Sequence, residues 1–350
     1  YAENFVTAAI CDVKESLASP IKEMLRVLVP NGIGLLGTFT PAAGQQEEAL
    51  VDGWKNLLAE KGVSQTDVIK ESGLWVKFTK PKSPDFDEWA YWRSAPDGNA
   101  VSHDKAVGVP GRLRWVDGIM EGQDGGGARC TISAGGRVFI VNNETEMNIR
   151  GGYARPKLTA RDAWNGTTLW VREVPSFKIS NPEATYPDYD FSRQTFFATA
   201  GRVYLVLDHK GPLVSLDAAT GLTVTEYKEG GSPFIAFLHE GMLVLADDDT
   251  VRALNPDTGA ILWKKEANIT KPGFNSASIV AEGDWIVLDK GNERVGLEAK
   301  TGKELWRTPS PGGLFFVQKG VVGSSVSGSS ATALAAETGK KLWTHAYDGC

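Results

Sequence analysis

Short apolar runs separated by polar turns recur along the second half of the chain, and this pattern predicts β-strands rather than helices. Five of the runs begin at a glycine and are rich in β-branched or aromatic residues: GRVFIV from Gly136, GRVYLVL from Gly201, GMLVLA from Gly241, GDWIVL from Gly283 and GVVGSS from Gly320. The last run is the weakest strand, because glycine and serine have low β-propensity. A turn, a second strand, an Asx/Thr-Gly turn and a third strand follow each run, which predicts a series of antiparallel meanders.

An eleven-residue pattern recurs five times within these meanders and sets their period. The copies are ARDAWNGTTLW from Ala160, SLDAATGLTVT from Ser215, ALNPDTGAILW from Ala253, GLEAKTGKELW from Gly296 and ALAAETGKKLW from Ala333. Their glycines are separated by 55, 38, 43 and 37 residues, and a period of roughly 40 residues is typical of blade or solenoid arrays. Each glycine is expected to have a positive φ in a type I turn followed by a bulge. We expect the side chains of Asp162, Asp217 and Asn255 to accept hydrogen bonds from the turn amides.

The repeated pattern AxDxxTGxxLW resembles the tryptophan-docking motif of pyrroloquinoline-quinone-type (PQQ-like) β-propellers, the quinoprotein alcohol dehydrogenase-like superfamily. The resemblance implies a mainly β fold, an incomplete β-propeller of about five four-stranded blades. It also implies docking roles for the rings of Trp115, Trp170, Trp263, Trp306 and Trp343 and for the turn glycines Gly166, Gly221, Gly259, Gly302 and Gly339. Three copies depart from the motif: Thr225 replaces the tryptophan in one, and Glu298 and Ala335 replace the aspartate in two others.

A partial sixth copy, GRLRW at 111–115, keeps the glycine-to-tryptophan spacing but lacks the preceding strand and turn. We expect it to be an orphan outermost strand, because such a strand completes the last blade in closed propellers of the type that the motif resembles. The other three strands of that blade are then expected beyond Cys350, so the propeller is expected to be truncated at its C-terminal end.

Two connections are longer than their counterparts in the other repeats, and they are candidate binding loops. They span 142–157 and 176–194, and both are expected on the face opposite the Thr-Gly turns. The second loop contains the candidate ligand residues Tyr186, Asp188, Tyr189 and Asp190. The alternative is that both are ordinary solvated surface loops.

The first eighty residues have a different hydrophobic period and predict an α/β unit. Strands are predicted at 5–11, 33–39 and 74–80 and helices at 16–29 and 45–61, with a parallel sheet. The strings YAENFVTAAICD and EMLRVLVPNGIGLLG resemble the back half of class I S-adenosylmethionine-dependent methyltransferases. In that family the Gly-rich cofactor loop belongs to earlier strands, so no cofactor residue carries over to this chain.

Gly32, Gly34 and Gly37 match G-x-G-x-x-G, but a dinucleotide motif must follow a strand and open a helix. Here the glycines follow a helix and lead into a strand. A phosphate-binding role is therefore not predicted for them.

The domains are accordingly predicted as a methyltransferase-like fragment at 1–80, a linker at 81–110 and the propeller at 111–350. The linker block DEWAYW…PDGN…VGVPGRLRW resembles the joining segment of planctomycete-type fusions of these two domain classes, although histidines usual in such segments are replaced here. Asp97 and Asn99, with Asp87 and Glu88, are candidates to line a ligand face. The alternative is that they only pack in the linker.

Composition excludes some classes of function. A net charge of -6 without a run of lysine and arginine argues against a nucleic-acid surface, and no stretch approaches the 18 or more apolar residues of a membrane span. The cysteines Cys11, Cys130 and Cys350 lie far apart, so there is neither a metal-type CxxC nor an evident disulfide framework.

No residue is predicted to be catalytic, cofactor-binding or metal-binding. His103, His209, His239 and His345 lack metal-ligand spacing. Asp247 to Asp249 form a calcium-like acidic cluster, but at the tip of a predicted hairpin such carboxylates are ordinarily solvated.

Three functions remain open from the sequence. The first is a non-catalytic binding or scaffold module for a protein, small-molecule or carbohydrate ligand. The second is a quinone-dependent dehydrogenase, using PQQ and calcium, in a longer protein. The third is a methyltransferase using S-adenosylmethionine, which needs an upstream half. An exported, periplasmic location is favoured because relatives of the propeller class are commonly exported.

Overall fold

The computed structural model describes residues 3–13, 18–40, 47–106, 115, 128–144, 155–174, 193–208, 211–269, 278–326 and 330–347. The chain divides into two compact units. Unit 1 comprises Tyr1–Asp87, His103–Asp117 and Asp162–Thr167, and unit 2 comprises Glu88–Ser102, Gly118–Arg161 and Thr168–Cys350. Residues 88–102, which the sequence predicts to be linker, are part of unit 2.

Unit 1 is built on a mixed four-stranded sheet with two helices. Its elements are β1 (Val6–Asp12), α1 (Ala18–Val27), β2 (Leu28–Thr38), α2 (Glu47–Ala59), β3 (Thr66–Ile69) and β4 (Leu74–Thr79). The strand order is β1-β2-β4-β3. β1 and β2 are parallel, whereas β4 runs antiparallel to both β2 and β3. Ile21, Trp54 and Leu58 from the helices pack with Leu36 and Val76 from the sheet to form the core.

The sequence-based prediction for unit 1 is wrong in three respects. The sheet is mixed rather than parallel, strand β3 was not predicted, and β2 begins at Leu28 instead of after Gly32. Gly34 and Gly37 lie inside β2, where a side chain would collide with Phe78 and with the Leu74 carbonyl of β4. These two glycines therefore allow the close approach of an antiparallel neighbour, in keeping with their exclusion as a phosphate loop.

Unit 2 contains five four-stranded antiparallel sheets in the described ranges, which confirms the predicted mainly β meander architecture. Sheet 1 consists of β5 (Ala128–Ala134), β6 (Arg137–Glu144), β7 (Arg155–Asp162) and β8 (Thr168–Glu173). Sheet 2 consists of β9 (Phe197–Ala198), β10 (Arg202–Val206), β11 (Leu213–Asp217) and β12 (Thr223–Glu226). Sheet 3 consists of β13 (Ile235–His239), β14 (Met242–Ala246), β15 (Thr250–Leu254) and β16 (Ile261–Glu266). Sheet 4 consists of β17 (Ile279–Glu282), β18 (Trp285–Asp289), β19 (Glu293–Glu298) and β20 (Glu304–Pro309). Sheet 5 consists of β21 (Leu314–Gln318), β22 (Val321–Val326), β23 (Ser330–Ala335) and β24 (Lys341–Ala346).

The core of unit 2 lies between consecutive sheets. One cluster of buried side chains joins sheets 1 and 2, a second joins sheets 2, 3 and 4, and a third joins sheets 4 and 5. Because each sheet has two faces to cover, stacking against neighbours buries apolar surface that no single sheet could bury alone. Neither helix that the structure describes has the length and apolar character needed to cross a bilayer.

The predicted orphan strand at 111–115 lies outside the described residues except for Trp115. The candidate loop residues Tyr186, Asp188, Tyr189 and Asp190 and the histidine His209 also lie outside them.

Candidate interaction surface

The turn between the third and fourth strand is built in the same way in all five sheets. Its glycine has a φ of 65° to 75° in every copy, at Gly166, Gly221, Gly259, Gly302 and Gly339. The strand pairing shifts by one residue just before each turn, which is the predicted bulge. The turns therefore form even in the copies that depart from the motif at Thr225, Glu298 and Ala335.

Side-chain oxygens fix three of these turns as the sequence predicts. Asp162 accepts hydrogen bonds from the amides of Trp164 and Asn165, and Asp217 accepts them from Ala219 and Thr220. Asn255 does the same for Asp257 and Thr258 at 2.9 Å. In the fourth copy the Glu298 carboxylate accepts from the Thr301 hydroxyl, and in the fifth the Ala335 carbonyl accepts from the Gly339 amide.

An indole ring covers the turn glycine in four of the five copies. Its Nε1 donates to the carbonyl three residues before the glycine, at 2.7 to 3.1 Å. The pairs are Trp115 with Ala163, Trp170 with Ala218, Trp263 with Ala299 and Trp306 with Ala336. In unit 2 the ring comes from the outer strand of one sheet and the turn from the next, so the contact joins consecutive sheets.

Tyr227 takes the equivalent place between sheets 2 and 3, where the repeat has Thr225. Its hydroxyl donates to the Pro256 carbonyl at 2.5 Å, three residues before Gly259, and its ring contacts Gly259. Residues two apart on a strand point to the same side, so an aromatic side chain just after β12 reaches the same turn. The docking role of Tyr227 was not predicted, although the sequence shows an aromatic residue two positions beyond the expected tryptophan, which is the period of a strand.

Trp343 is the predicted docking residue of sheet 5, and 53% of its surface is exposed. It lies on β24, all of whose residues are exposed. In the described part of the chain no turn glycine lies against it.

The outer strands of all five sheets expose an aliphatic side chain next to the docking position. Between 43% and 54% of each of these side chains is exposed, at Leu169, Val224, Leu262, Leu305 and Leu342. Each of these residues is the extra, unpaired residue of the bulge that follows the turn. We call these five residues the outer aliphatic row.

Asp97 and Asn99, predicted as ligand-face candidates, lie in the segment 88–102 of unit 2. The Asp97 carboxylate accepts a hydrogen bond from the Asn99 amide at 2.9 Å, and the Asp97 carbonyl accepts one from the Val317 amide of β21 at 2.8 Å. Glu88 accepts a bond from the Gly136 amide at 3.1 Å. These contacts hold the segment against sheets 1 and 5. The ligand role of Asp97 and Asn99 stays a prediction.

Buried titratable side chains in unit 2 belong to structural contacts. Burial raises the pKa of Tyr91, whose hydroxyl donates to the Gln194 carbonyl. Burial and then the neighbouring Tyr227 raise the pKa of Tyr204 to about 12. Burial also lowers the pKa of Arg294, whose side chain is fully buried over the Phe315 ring. Arg294 is paired with Asp289 at 3.0 Å.

No group of three or more His, Cys, Asp or Glu side chains that could hold a metal ion is present within the described ranges. Asp247, from the predicted acidic cluster, accepts bonds from the Asp249 and Thr250 amides and pairs with Arg252 at 2.7 Å. This carboxylate therefore caps its own hairpin. His239 ends β13, and its Nε2 lies 2.7 Å from the Gly283 carbonyl oxygen, while His103 and His345 are exposed.

Five four-stranded antiparallel sheets, each joined to the next through an aromatic ring on a turn glycine, define a β-propeller-like repeat protein. The profile of the family described as "Outer membrane protein assembly factor BamB" matches residues 154–312 and 247–349, more than half of the chain. The chain therefore belongs to this PQQ-like repeat family.

Individual relatives are more distant. A tetrathionate hydrolase of Acidithiobacillus ferrooxidans is 26% identical over 208 residues, which cover 51% of this chain and 38% of that protein. BamB from Moraxella catarrhalis is 19% identical, with a TM-score of 0.41 over 60% of this chain and 58% of that one. A europium-containing methanol dehydrogenase is 12% identical, with a TM-score of 0.44 over 75% of this chain and 58% of that one. The chain thus spans less than two thirds of the length of each of these proteins.

Proposed function

We propose that unit 2 is a non-catalytic binding or scaffold module whose ligand is another protein. The observation that carries the proposal is the outer aliphatic row, which repeats from sheet to sheet. We propose that these five side chains form part of a protein-binding surface, because large exposed apolar patches mark protein interaction sites. Membership of a family described as an assembly factor also supports a protein ligand.

A photocrosslinking amino acid at Leu305 tests this proposal in cells that produce the protein. The matched control is Lys303, which is also exposed and lies just before β20, two residues from Leu305. We expect one discrete protein to crosslink at Leu305 and not at Lys303. The absence of a discrete adduct at all five positions of the row would contradict the proposal.

We further propose that the aromatic contacts with the turn glycines hold neighbouring sheets together in this module. Each contact combines an aromatic face with a buried hydrogen bond, at Trp170, Tyr227, Trp263 and Trp306. Both features stabilise packed aromatic side chains.

A quinone-dependent dehydrogenase remains the alternative, with PQQ and calcium as its cofactors. Such a site needs several convergent oxygen ligands for the calcium ion, and no group of three or more His, Cys, Asp or Glu side chains placed to hold a metal ion occurs among the residues that the structure describes. Adding PQQ and calcium to the longest natural form of the protein tests this alternative: stoichiometric quinone absorbance with alcohol- or sugar-dependent dye reduction would replace the scaffold proposal.

For unit 1 we propose a methyltransferase-like fold without a Gly-rich cofactor loop among residues 1–80. The resemblance of its first two strands and the parallel pairing of β1 and β2 across helix α1 support this proposal. Calorimetry with S-adenosylmethionine should then show no tight binding by this chain. Tight, stoichiometric binding would contradict the proposal that the loop is missing.

We also propose that Tyr186, Asp188, Tyr189 and Asp190 bind a small molecule or a carbohydrate, separately from the protein ligand.

An exported location is also proposed, supported by the family's description as an outer membrane assembly factor. Fractionation of cells expressing the full reading frame checks the location.

A further inference from the structure

The segment 88–99 runs along the first strands of the sheets of unit 2. Its carbonyl groups accept hydrogen bonds from four of these strands, at 2.8 to 3.0 Å. Trp89 accepts from Ser133 of β5, Ala90 from Ala198 of β9, Pro96 from Ala281 of β17, and Asp97 from Val317 of β21. One short segment is thereby bonded to sheets 1, 2, 4 and 5.

Aromatic side chains connect the same segment to sheet 3 and to the core. The Tyr91 ring lies 6.4 Å from the Phe237 ring of β13 and 6.4 Å from the Phe197 ring of β9. Trp92 packs against all three hydrophobic clusters of unit 2. The segment therefore touches every sheet, and Trp92 lies where the three clusters meet.

The local geometry of the segment fits this position closely. Ser94 has a φ of 70° and Gly98 a φ of 75°, so the chain turns sharply twice. The Arg93 guanidinium lies 4.7 Å from the Trp92 ring centre and donates to the Gly98 carbonyl at 3.3 Å. A Cβ at Gly98 would lie 2.8 Å from Val280 Cγ1 and 2.9 Å from the Phe315 carbonyl oxygen. Only glycine fits between sheets 4 and 5 at this point.

We propose that residues 88–99 are a strap that couples the five sheets of unit 2 into a single cooperative unit. In repeat arrays, each repeat contacts only its neighbours, so stability is a sum of local terms and parts of the array can open separately. A segment bonded to the first strand of nearly every sheet adds contacts between sheets that are not neighbours. The strap thus goes beyond the proposed binding function, because it concerns how the module stays assembled.

The test compares Gly98→Ala with Gly241→Ala by native-state hydrogen exchange. Both glycines have a φ near 75°, so the backbone strain of alanine is common to both variants. At Gly241 nothing lies within 4 Å of the added Cβ, whereas at Gly98 it meets sheets 4 and 5. The difference between the variants therefore reports the displacement of the strap.

We expect the amides of Ser133, Ala198, Ala281 and Val317 to exchange at least about tenfold faster in Gly98→Ala than in Gly241→Ala, a factor equivalent to about 1.4 kcal/mol. The essential result is at Ser133 and Ala198, which are bonded to the other end of the strap. If all slow amides of the five sheets accelerate by one common factor, the sheets open together and coupling is again supported.

Faster exchange only at Ala281 and Val317 would overturn the proposal, because the segment would then be a local contact of sheets 4 and 5. Equal exchange in the two glycine variants would overturn it as well. If Gly98→Ala does not fold, Trp92→Phe replaces it, with Trp343→Phe at an exposed position as its control. The same four amides and the same outcomes then apply.

Discussion

At the scale of single residues, the side chain that joins one sheet to the next is both a flat ring and a hydrogen-bond donor. Trp263 and Trp306 are buried, and their indole N–H groups each reach one backbone carbonyl. A buried donor without a partner is costly. The carbonyl three residues before the turn glycine therefore selects side chains with an N–H or O–H at the far end of the ring, which Tyr227 also provides.

Tyr227→Phe should lower the free energy of unfolding by about 1 kcal/mol, because the ring stays and only the hydroxyl bonds are lost, the short one to the Pro256 carbonyl and the longer one to the Ser215 hydroxyl. Tyr227→Ala should lower it by about 3–5 kcal/mol, because the whole buried ring is removed. Chemical denaturation of the three proteins checks both values. Tyr347→Phe is the control, since its half-buried hydroxyl donates to the Val326 carbonyl at the surface and its loss should cost less. If both phenylalanine variants lose the same free energy of unfolding, the buried bond to Pro256 stabilises the protein no more than the surface bond of Tyr347.

Asp289→Ala should destabilise the protein by about 3–5 kcal/mol, because it leaves the fully buried Arg294 guanidinium without its carboxylate. The matched variant is Asp247→Ala, which breaks the ion pair with Arg252 at the equivalent place in sheet 3. That pair is partly exposed, so water can replace the lost carboxylate and the cost should be smaller. Thermal unfolding of the two variants makes the comparison. A greater loss of stability in Asp247→Ala than in Asp289→Ala would contradict the expectation that the more buried ion pair costs more to break.

At the scale of elements, the third-to-fourth-strand turn is the unit that repeats. Gly302→Ala should lower the free energy of unfolding by more than Gly241→Ala, although the two glycines have similar φ values of 68° and 74°. The strain of an L-residue at this φ, about 1–2 kcal/mol, is common to both variants. The added Cβ at Gly302 would lie 2.5 Å from the Trp263 ring, whereas at Gly241 it meets open space.

Denaturant unfolding measures the difference between the two glycine variants. The double variant Gly302→Ala with Trp263→Ala serves as a control, because the collision disappears with the indole and the two changes should then be less than additive. If the changes in unfolding free energy of the two single variants simply add in the double variant, the added Cβ at 302 does not collide with the indole ring.

The repeating elements were predictable because they are local. Strand alternation, the Asx side chain and the positive-φ glycine all act within eleven residues, so Asp217 and Gly221 reveal their turn without knowledge of the rest of the fold. The first strand of each sheet was less visible; β9 has only two residues, Phe197 and Ala198, and its pairing depends on β10.

In unit 1 the strand at 74–80 was predicted, but its antiparallel direction and the short β3 were not, for a related reason. A single hydrophobic run does not show the direction of its neighbour. Gly34 and Gly37 carried that information, because their missing side chains make room for Phe78 and for the backbone of β4. The contacts that join the sheets were equally non-local: Tyr227 and the strap at 88–99 have partners far along the chain.

At the scale of the whole molecule, each unit has its own core, and unit 2 is joined in two ways. Outer aromatic residues connect consecutive sheets, and the strap reaches all five first strands. Tyr91 and Tyr204 lie within this inner region and are almost fully buried. Their phenols must stay neutral there, since burial disfavours the charged form.

The stability of the protein should therefore fall as the pH rises above 10. The pKa of Tyr204 is raised from 10.0 to about 12 in the folded protein, so between these values the unfolded chain loses a proton that the folded protein keeps. Tyr91 is shifted in the same direction. The stabilisation is complete below pH 10 and is lost as the pH approaches 12. Denaturant unfolding across this range, with tyrosinate absorbance as the titration signal, checks the prediction. Tyr204→Phe should make the decline shallower, and an unchanged slope would exclude Tyr204 as a cause.

The displaced ring of Tyr227 has a consequence for engineered arrays built from this repeat. Thr225→Trp would restore the tryptophan of the other four copies while the tyrosine at 227 stays in place. Both rings would then point at the single turn around Gly259, which has room for one. In a designed array, only one of the positions 225 and 227 should therefore carry the aromatic residue that packs on this turn, and the two positions should be chosen together. A library that varies the two positions together should yield folded proteins with an aromatic residue at either position, and few with one at both.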